Sequence, residues 1–111
     1  MEQTELNKIA EKIIRNNIYL TLATTDKKGK PWASPVYYKT DDKFNFYFIS
    51  QTNSVHIKNI LKNTNVSFAI FDSRQPAGQG NGVQRLGKVY LLSDKKLKNA
   101  LKWYKSSFIT V

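Results

Sequence analysis

The clearest structural signal in the sequence is the succession of IYLTLATT (residues 18–25), DKKGK (26–30) and PWASPVYYKT (31–40). The first and last segments are rich in β-branched and aromatic residues, which favour strands. The polar segment between them contains Gly29, which can adopt a positive φ in a tight turn. We therefore predict an antiparallel hairpin. Pro35 has no N–H to donate, so the second strand is expected at a sheet edge or with a bulge there.

The segments on either side of this hairpin have periodicities of their own. Apolar residues recur every three or four positions before it, so residues 4–15 are predicted to form an amphipathic helix. This helix is expected to end at Asn16 and Asn17, since asparagine tolerates the left-handed conformation. After the hairpin, residues 44–50 (FNFYFIS) are predicted to form a third strand. The aromatic residues expected on one face of that strand are Phe44, Phe46 and Phe48.

Two further helices are predicted in the second half of the chain. Ser54 can cap a helix that runs to about residue 63, and Ser93 with Asp94 can cap another. The core residues expected on the first are Ile57, Ile60 and Leu61. Those expected to point inward on the second are Leu97, Ala100, Leu101 and Tyr104, with Lys95, Lys96, Lys98, Lys102 and Lys105 outward.

Buried strands are predicted at residues 65–72 and 83–92, joined by a glycine-rich loop, and residues 108–111 could begin a short strand. Gly87 marks a bulge or a close approach of two backbones in the second of these strands. Antiparallel hairpins, instead of alternating strands and helices, favour a mostly β (α+β) fold, a small antiparallel barrel with flanking helices. At this length, residues 1–111 are expected to form one domain.

Composition excludes several classes of function. The chain has no cysteine and one histidine, so disulfide frameworks, thiol nucleophiles and most histidine-based metal sites are ruled out. No segment approaches the length of a membrane span, and the N-terminus is polar and acidic, so we expect a cytoplasmic protein with no membrane partner. Eighteen Lys and Arg against eight Asp and Glu give a formal net charge of +10. This charge favours anionic partners such as phosphates or nucleotides, although many lysines are expected simply to be solvated.

The glycine-rich loop is not a recognisable nucleotide motif. Gly78, Gly80 and Gly82 form G-x-G-x-G, which differs from the dinucleotide fingerprint and from the Walker A loop, and it precedes a strand where those motifs precede a helix. A mobile hairpin connection is the simpler interpretation. A loop that closes over a ligand is the alternative.

The segment SQTNSVH at residues 50–56 is better suited to bind an anion. It places three hydroxyl groups, a helix N-terminus and the imidazole of His56 between the end of a strand and the start of a helix. The free backbone N–H groups of such a helix end attract phosphate. Lys39 and Lys58 would add charge-assisted hydrogen bonds. Plain capping of the helix by Ser54 is the alternative interpretation.

Five segments together resemble one family, the pyridoxamine 5'-phosphate oxidase-like, flavin-binding split β-barrels. The resemblance covers about residues 8–95, and the segments occur in the order and spacing of the family. It implies a split β-barrel and a homodimer that binds flavin mononucleotide (FMN) at the interface between subunits. The matching segments are residues 20–25 (LTLATT), 29–36 (GKPWASPV), 46–50 (FYFIS), 54–60 (SVHIKNI) and 82–88 (GVQRLGK).

The resemblance also assigns site residues. The flavin-contacting strand of the family corresponds to residues 34–39, and its phosphate-binding basic pair corresponds to Val55 and His56. The true oxidases have arginine where this chain has Ser34, and an Arg-Lys pair where it has Val55 and His56. The chain also stops before the last strands, whose Trp and Arg hold pyridoxal phosphate. True pyridoxamine 5'-phosphate oxidase activity is therefore not expected. The cofactor-binding residues implied are Ser34, Pro35, Val36, Tyr37, Lys39, Ile49, Ser50, Ser54, Val55, His56 and Gln84.

Three functions follow from these observations. The first is an FMN-dependent oxidoreductase acting on a small-molecule substrate, in which the flavin performs the chemistry and no side chain stands out as a general acid or base. The second is a non-catalytic binder of flavin, haem or another flat cofactor. Deazaflavin F420 and haem are the alternative cofactors to FMN. A basic nucleic-acid-binding barrel is the third, and nucleic acid is the least expected partner, because aromatic residues at strand spacing usually form the core. Its candidate stacking platforms are Trp32, Tyr37, Tyr38 and Phe46.

Overall fold

The computed structural model of the protein describes residues 2–78 and 80–101. The predicted strand at 108–111 and the predicted helix residues Lys102, Tyr104 and Lys105 lie outside the described residues. Within them, three helices and six strands follow one another in chain order. They are α1 (Gln3–Asn16), β1 (Tyr19–Thr25), β2 (Pro31–Tyr37), β3 (Lys39–Thr40), β4 (Phe46–Tyr47), α2 (Val55–Lys62), β5 (Asn65–Phe71), β6 (Gly82–Lys88) and α3 (Asp94–Leu101).

Four of the strands form an antiparallel sheet in the order β2-β1-β5-β6. The predicted hairpin is confirmed: β1 and β2 pair along their whole length, and Gly29 in their turn has a φ of 85°. Asp26 fixes the turn, because its Oδ1 accepts hydrogen bonds from the backbone N–H groups of Lys28 (2.8 Å) and Lys30 (2.9 Å). Pro35 lies on β2 at the edge of the sheet, as predicted.

The strand predicted at residues 31–40 is broken into two. Beyond Tyr37 the chain leaves the sheet, and the separate two-stranded sheet β3-β4 begins at Lys39. The strand predicted at 44–50 is reduced to Phe46–Tyr47, because Phe44 has a φ of 61° that no regular strand accommodates. Asp41 holds this tight turn by accepting hydrogen bonds from the N–H groups of Lys43 and Asn45, each at 2.9 Å. Among the described residues, the sheet does not close into a full barrel.

Three smaller predictions are also corrected. Asn17, after α1, is extended (φ −118°) and not left-handed. Leu61 is 58% exposed and not part of the core, because it lies on the solvent side of α2. β6 ends at Lys88, since its partner β5 begins at Asn65, directly opposite. Gly87 sits in unbroken register with no atom near the position of a Cβ, so it marks neither a bulge nor a close approach.

Alternation along the strands gives the sheet an inner and an outer face. The inner face packs against α1 and α2: the phenol of Tyr38 donates a buried 2.6 Å hydrogen bond to the Ile14 carbonyl of α1, while α2 lies on β1 and β2. The buried apolar residues that form the core are Ile14, Leu20, Leu22, Val36, Tyr38, Ile57, Ile60, Val66 and Ile70. Within the described part of the chain, no helix is long and apolar enough to cross a membrane.

Candidate functional site

The N-terminus of α2 follows directly after β4 and the loop that leaves it. Ser54 is the N-cap, as predicted: its Oγ accepts a hydrogen bond from the N–H of Ile57 (3.4 Å) and donates one to the Gln51 carbonyl (2.7 Å). In the described structure, the N–H groups of Val55 and His56 have no acceptor. The first turn contains no acidic residue. This helix end therefore presents two free donors and the positive end of the helix dipole.

Three side chains from the predicted phosphate segment meet at this helix end. The Nε2 atom of His56 lies 2.8 Å from Oγ of Ser50 and 3.5 Å from Oγ of Ser54. The Phe48 ring lies beside the imidazole, with the centroids 6.3 Å apart. Burial lowers the pKa of His56 below its ordinary value of 6.5, so the ring is mostly neutral at neutral pH. Together, the two hydroxyl groups and the imidazole form a polar cluster with little charge of its own.

The predicted site residues of β2 are divided between the two faces of the sheet. Ser34 and Val36 are buried on the inner face, whereas Pro35 and Tyr37 lie on the outer face. A ligand outside this chain could therefore reach the side chains of Pro35 and Tyr37 but not those of Ser34 and Val36. The Lys39 ammonium, on β3, lies 5.2 Å from the centroid of the Tyr37 ring.

Gln84 lies apart from the α2 N-terminus. It is on β6, opposite Ala69, in a row that continues across the sheet through Thr21 to Pro35. Residues directly opposite one another share a face, so Gln84 and Pro35 are both on the outer face, three strand spacings or about 14 Å apart. The structure thus brings together Ser50, Ser54, Val55 and His56, and places Gln84 on a different surface.

The outer face itself has an unusual composition for so basic a chain. Of its sixteen strand positions only Lys88 is charged, and the central positions carry small side chains. Leu86 is 85% exposed, and Tyr19 and Phe71 are also exposed. The outer-face residues are Tyr19, Thr21, Ala23, Thr25, Pro31, Ala33, Pro35, Tyr37, Asn65, Ser67, Ala69, Phe71, Gly82, Gln84, Leu86 and Lys88.

A cleft of about 570 Å³ opens between β4 and β6, on the inner side of the sheet. Sequence reasoning missed it, because the alternating phenylalanines of residues 44–50 predicted a full strand that would have filled this space. Of the predicted site residues, Ile49 and Ser50 line the cleft. Its wall is mostly apolar: Leu20, Leu22, Phe44, Phe46, Phe48, Ile57, Ile60, Val66, Phe68, Val89, Leu91, Leu92 and Leu97, with the cations Arg85 and Lys88.

Comparison with known families gives one match that spans nearly the whole chain. The sequence model described as pyridoxamine 5'-phosphate oxidase matches residues 6–109. No curated protein matches the sequence.

Solved structures share the fold at low sequence identity. A protein of unknown function from Agrobacterium tumefaciens str. C58 superposes with a TM-score of 0.80 at 15% identity, over 94% of this chain and 45% of that one. The haem storage protein HutZ from Vibrio cholerae superposes with a TM-score of 0.77 at 15% identity, over 96% of this chain and 75% of that one. A haem-binding protein from Mycobacterium smegmatis superposes with a TM-score of 0.74 at 21% identity, over 86% of this chain and 40% of that one. The chain thus spans less than half the length of two of these three structures, and the similarity shows a common fold.

Proposed function

Because this chain belongs to the pyridoxamine 5'-phosphate oxidase family, we propose that it binds FMN as a homodimer and uses it in a redox reaction on a small-molecule substrate. The observation that carries the proposal is the α2 N-terminus, where two free backbone N–H groups and the hydroxyl groups of Ser50 and Ser54 converge. Backbone donors at a helix end are a common way to bind a phosphate.

The residues present fit the phosphate of FMN, but they supply fewer positively charged side chains than the oxidases have there. Val55 is 44% exposed and apolar, and Ser34 is buried on the inner face, so neither supplies the basic side chain that the oxidases have at these positions. The N–H groups of Val55 and His56 would hold the phosphate oxygens, and the two serine hydroxyls would add hydrogen bonds. We therefore expect moderate affinity for FMN. Oxidation of pyridoxamine 5'-phosphate itself is not part of the proposal.

The outer face supports the homodimer. Its exposed apolar rim and nearly uncharged centre are typical of an interface, since a free surface of this basic chain would carry more charge. Small side chains such as Ala23, Ala33 and Ala69 let a second sheet approach closely. Pairing of two outer faces would also bring Pro35, Tyr37 and Gln84 of one copy near the other copy, which accounts for their separation from the α2 N-terminus within one chain.

Bound flavin supplies the electron transfer in this proposal. The residues of the chain have simpler tasks. The α2 N-terminus fixes the phosphate, and the neutral imidazole of His56 holds the Ser50 hydroxyl in place through their 2.8 Å contact. The dimer interface would exclude water from the remainder of the cofactor.

A non-catalytic binder of a flat cofactor such as haem is the second candidate. Two structures with the same fold, from Vibrio cholerae and Mycobacterium smegmatis, are a haem storage and a haem-binding protein. His56 is the only histidine of this chain, so a histidine ligand to haem iron would have to be His56. Its Nε2 already contacts Ser50 at 2.8 Å, and iron coordination through that atom would have to break the contact.

Cofactor titration separates the two candidates. The purified protein is titrated with FMN, with riboflavin, which lacks the phosphate, and with haem, and the visible spectrum is recorded after gel filtration. Bound flavin absorbs at about 450 nm and bound haem at about 400 nm. The proposal expects FMN to bind more tightly than riboflavin, and the bound flavin to bleach when NADH or NADPH is added without oxygen. Tight haem binding with no flavin retained would favour the second candidate.

A further inference from the structure

We propose that the cleft between β4 and β6 binds an amphipathic carboxylate, a molecule with an apolar body and one anionic head such as a fatty acid. This site adjoins the α2 N-terminus, because Ser50 lines the cleft as well as the helix end, and it serves a ligand other than the flavin. Three features of the cleft support the proposal: its volume, its apolar wall and the sign of the charges at its rim.

The volume and wall of the cleft suit an apolar ligand. About 570 Å³ lies within the range of small-molecule pockets, which is roughly 300–1,000 Å³. The rings of Phe46 and Phe68 contact each other in the wall, with centroids 4.7 Å apart and planes inclined at 53°. Because the inner-face position of Gly87 carries no side chain, the cleft remains open next to β6. An apolar body placed there would cover aromatic and aliphatic surface that otherwise faces water.

The charges at the cleft select the head group. Arg85 and Lys88 are the only charged residues among its described lining residues, and both are cations. Arg85 is on the inner face of β6, whereas Lys88, at the end of the strand, is at an outer-face position, so Arg85 is the cation that faces the cleft. The Arg85 guanidinium lies 5.9 Å from the centroid of the Phe46 ring, and within the described ranges no carboxylate pairs with it. An arginine beside aromatic rings, with its donors unpaired, complements a carboxylate better than a neutral or cationic head.

The experiment uses the full-length protein and a fluorescent apolar anion, anilinonaphthalene sulfonate, as the probe. We expect the probe to bind and to be displaced by laurate, with dodecanol weaker and dodecyltrimethylammonium weaker still. Arg85→Gln should weaken laurate roughly tenfold and leave dodecanol unchanged, because only the charge-assisted contact is lost. Lys62→Gln removes the same charge from the exposed end of α2 and should change neither ligand.

A second variant fills the cleft. Gly87 has an ordinary strand conformation and nothing within 4 Å of the Cβ position, so Gly87→Leu should fold and should direct its side chain into the cleft. We expect it to abolish laurate binding without lowering the melting temperature. Asn65→Leu, which places the same side chain on the outer face of β5, should bind laurate normally.

Several outcomes would overturn the proposal. Equal binding of laurate and dodecyltrimethylammonium would show that charge plays no part. Failure of the probe to bind, or normal laurate binding by Gly87→Leu, would show that another segment or a second copy fills the cleft, or that the ligand binds elsewhere. FMN affinity, measured on Arg85→Gln and Gly87→Leu, should be unchanged, and competition between FMN and laurate would mean that the two sites are one. If the wild type does not bind FMN but does bind laurate, the proposed function is rejected and the proposal for this cleft stands.

Discussion

The side-chain amide of Asn59 donates a 3.0 Å hydrogen bond to Oγ1 of Thr24, and both residues are buried. This contact joins α2 to β1 in the interior. One turn later, Asn63 donates a 2.8 Å hydrogen bond to Oγ1 of Thr25, in a half-buried place. Two adjacent threonines thus position the same helix: the contact of Thr24 is buried, whereas water can reach the contact of Thr25. The location of the α2 N-terminus depends on this pair.

Thr24→Val should lower the free energy of unfolding by about 1–3 kcal/mol, because it leaves the buried amide of Asn59 without its acceptor. Thr25→Val is the matched control and should cost less than about 1 kcal/mol, since water can reach Asn63. Urea denaturation of both variants measures the difference. Equal losses would mean that the two contacts do not differ in burial.

Tyr38→Phe should lower the free energy of unfolding by about 1 kcal/mol, since it removes the buried hydrogen bond to the Ile14 carbonyl. Burial raises the pKa of Tyr38 to about 12, so this phenol should ionise late in an alkaline titration. An alkaline absorbance titration of the wild type and the variant measures this. Tyr19→Phe, on the outer face, is the control and should leave the late phase in place.

The stability of the protein should depend on pH through His56. Its pKa in the folded protein is below 6.5, so the unfolded chain binds a proton at this ring more readily than the folded one. The contribution of His56 to stability is therefore full above pH 6.5 and is lost as the pH falls below that value. Urea denaturation between about pH 5 and 7 should show a flatter dependence for His56→Gln than for the wild type. An unchanged slope in the variant would assign the acid sensitivity to other groups.

Val55→Arg should tighten FMN binding by about 1–3 kcal/mol, because it adds a charged donor at the exposed first residue of α2. Ser54→Asp should weaken it, since aspartate retains the N-cap but repels the phosphate. Riboflavin provides the matched comparison, and its affinity should change in neither variant. If Val55→Arg binds FMN as the wild type does, the phosphate lies elsewhere.

Ala69→Arg should convert the proposed dimer to monomers, because it places a charge at the centre of the outer face. Light scattering at micromolar concentration measures the molar mass. Thr4→Arg adds the same side chain to the exposed first turn of α1 and should leave the dimer intact. If the wild type is already monomeric at this concentration, the homodimer in the proposed function is wrong.

Local chemistry made much of the fold predictable. The hairpin around Gly29, the cap at Ser54 and the edge position of Pro35 each depend on a property of one residue, and each is found in the structure. The break after Tyr37 and the positive φ of Phe44 were missed. The break after Tyr37 is accompanied by a contact with a distant part of the chain, the Tyr38 phenol with α1, which the strand pattern of residues 31–50 does not reveal. The positive φ of Phe44 belongs to the turn that Asp41 holds, and the alternating phenylalanines conceal that turn.

The candidate site was predictable only in part for the same reason. Ser50, Ser54, Val55 and His56 lie within seven positions of one another, so their proximity follows from a strand end and a helix start. The division of β2 between two faces follows from alternation, but which face is covered depends on where α2 packs. Arg85 received no role from the sequence, because its importance comes from the cleft that the short β4 leaves open.

The order of strands in the central sheet has a consequence for the rate of folding. β1 and β2 pair with each other and are separated by only a five-residue turn. β1 and β5 also pair, but α2 and the β3-β4 sheet lie between them in the sequence. Local contacts form before distant ones, because closing a long loop costs entropy before any contact compensates for it. We expect the hairpin at residues 18–37 to form early and the docking of β5 to be the rate-limiting event of folding. The helix end that would hold the phosphate lies inside that long loop, so it reaches its final position only when the chain has nearly finished folding.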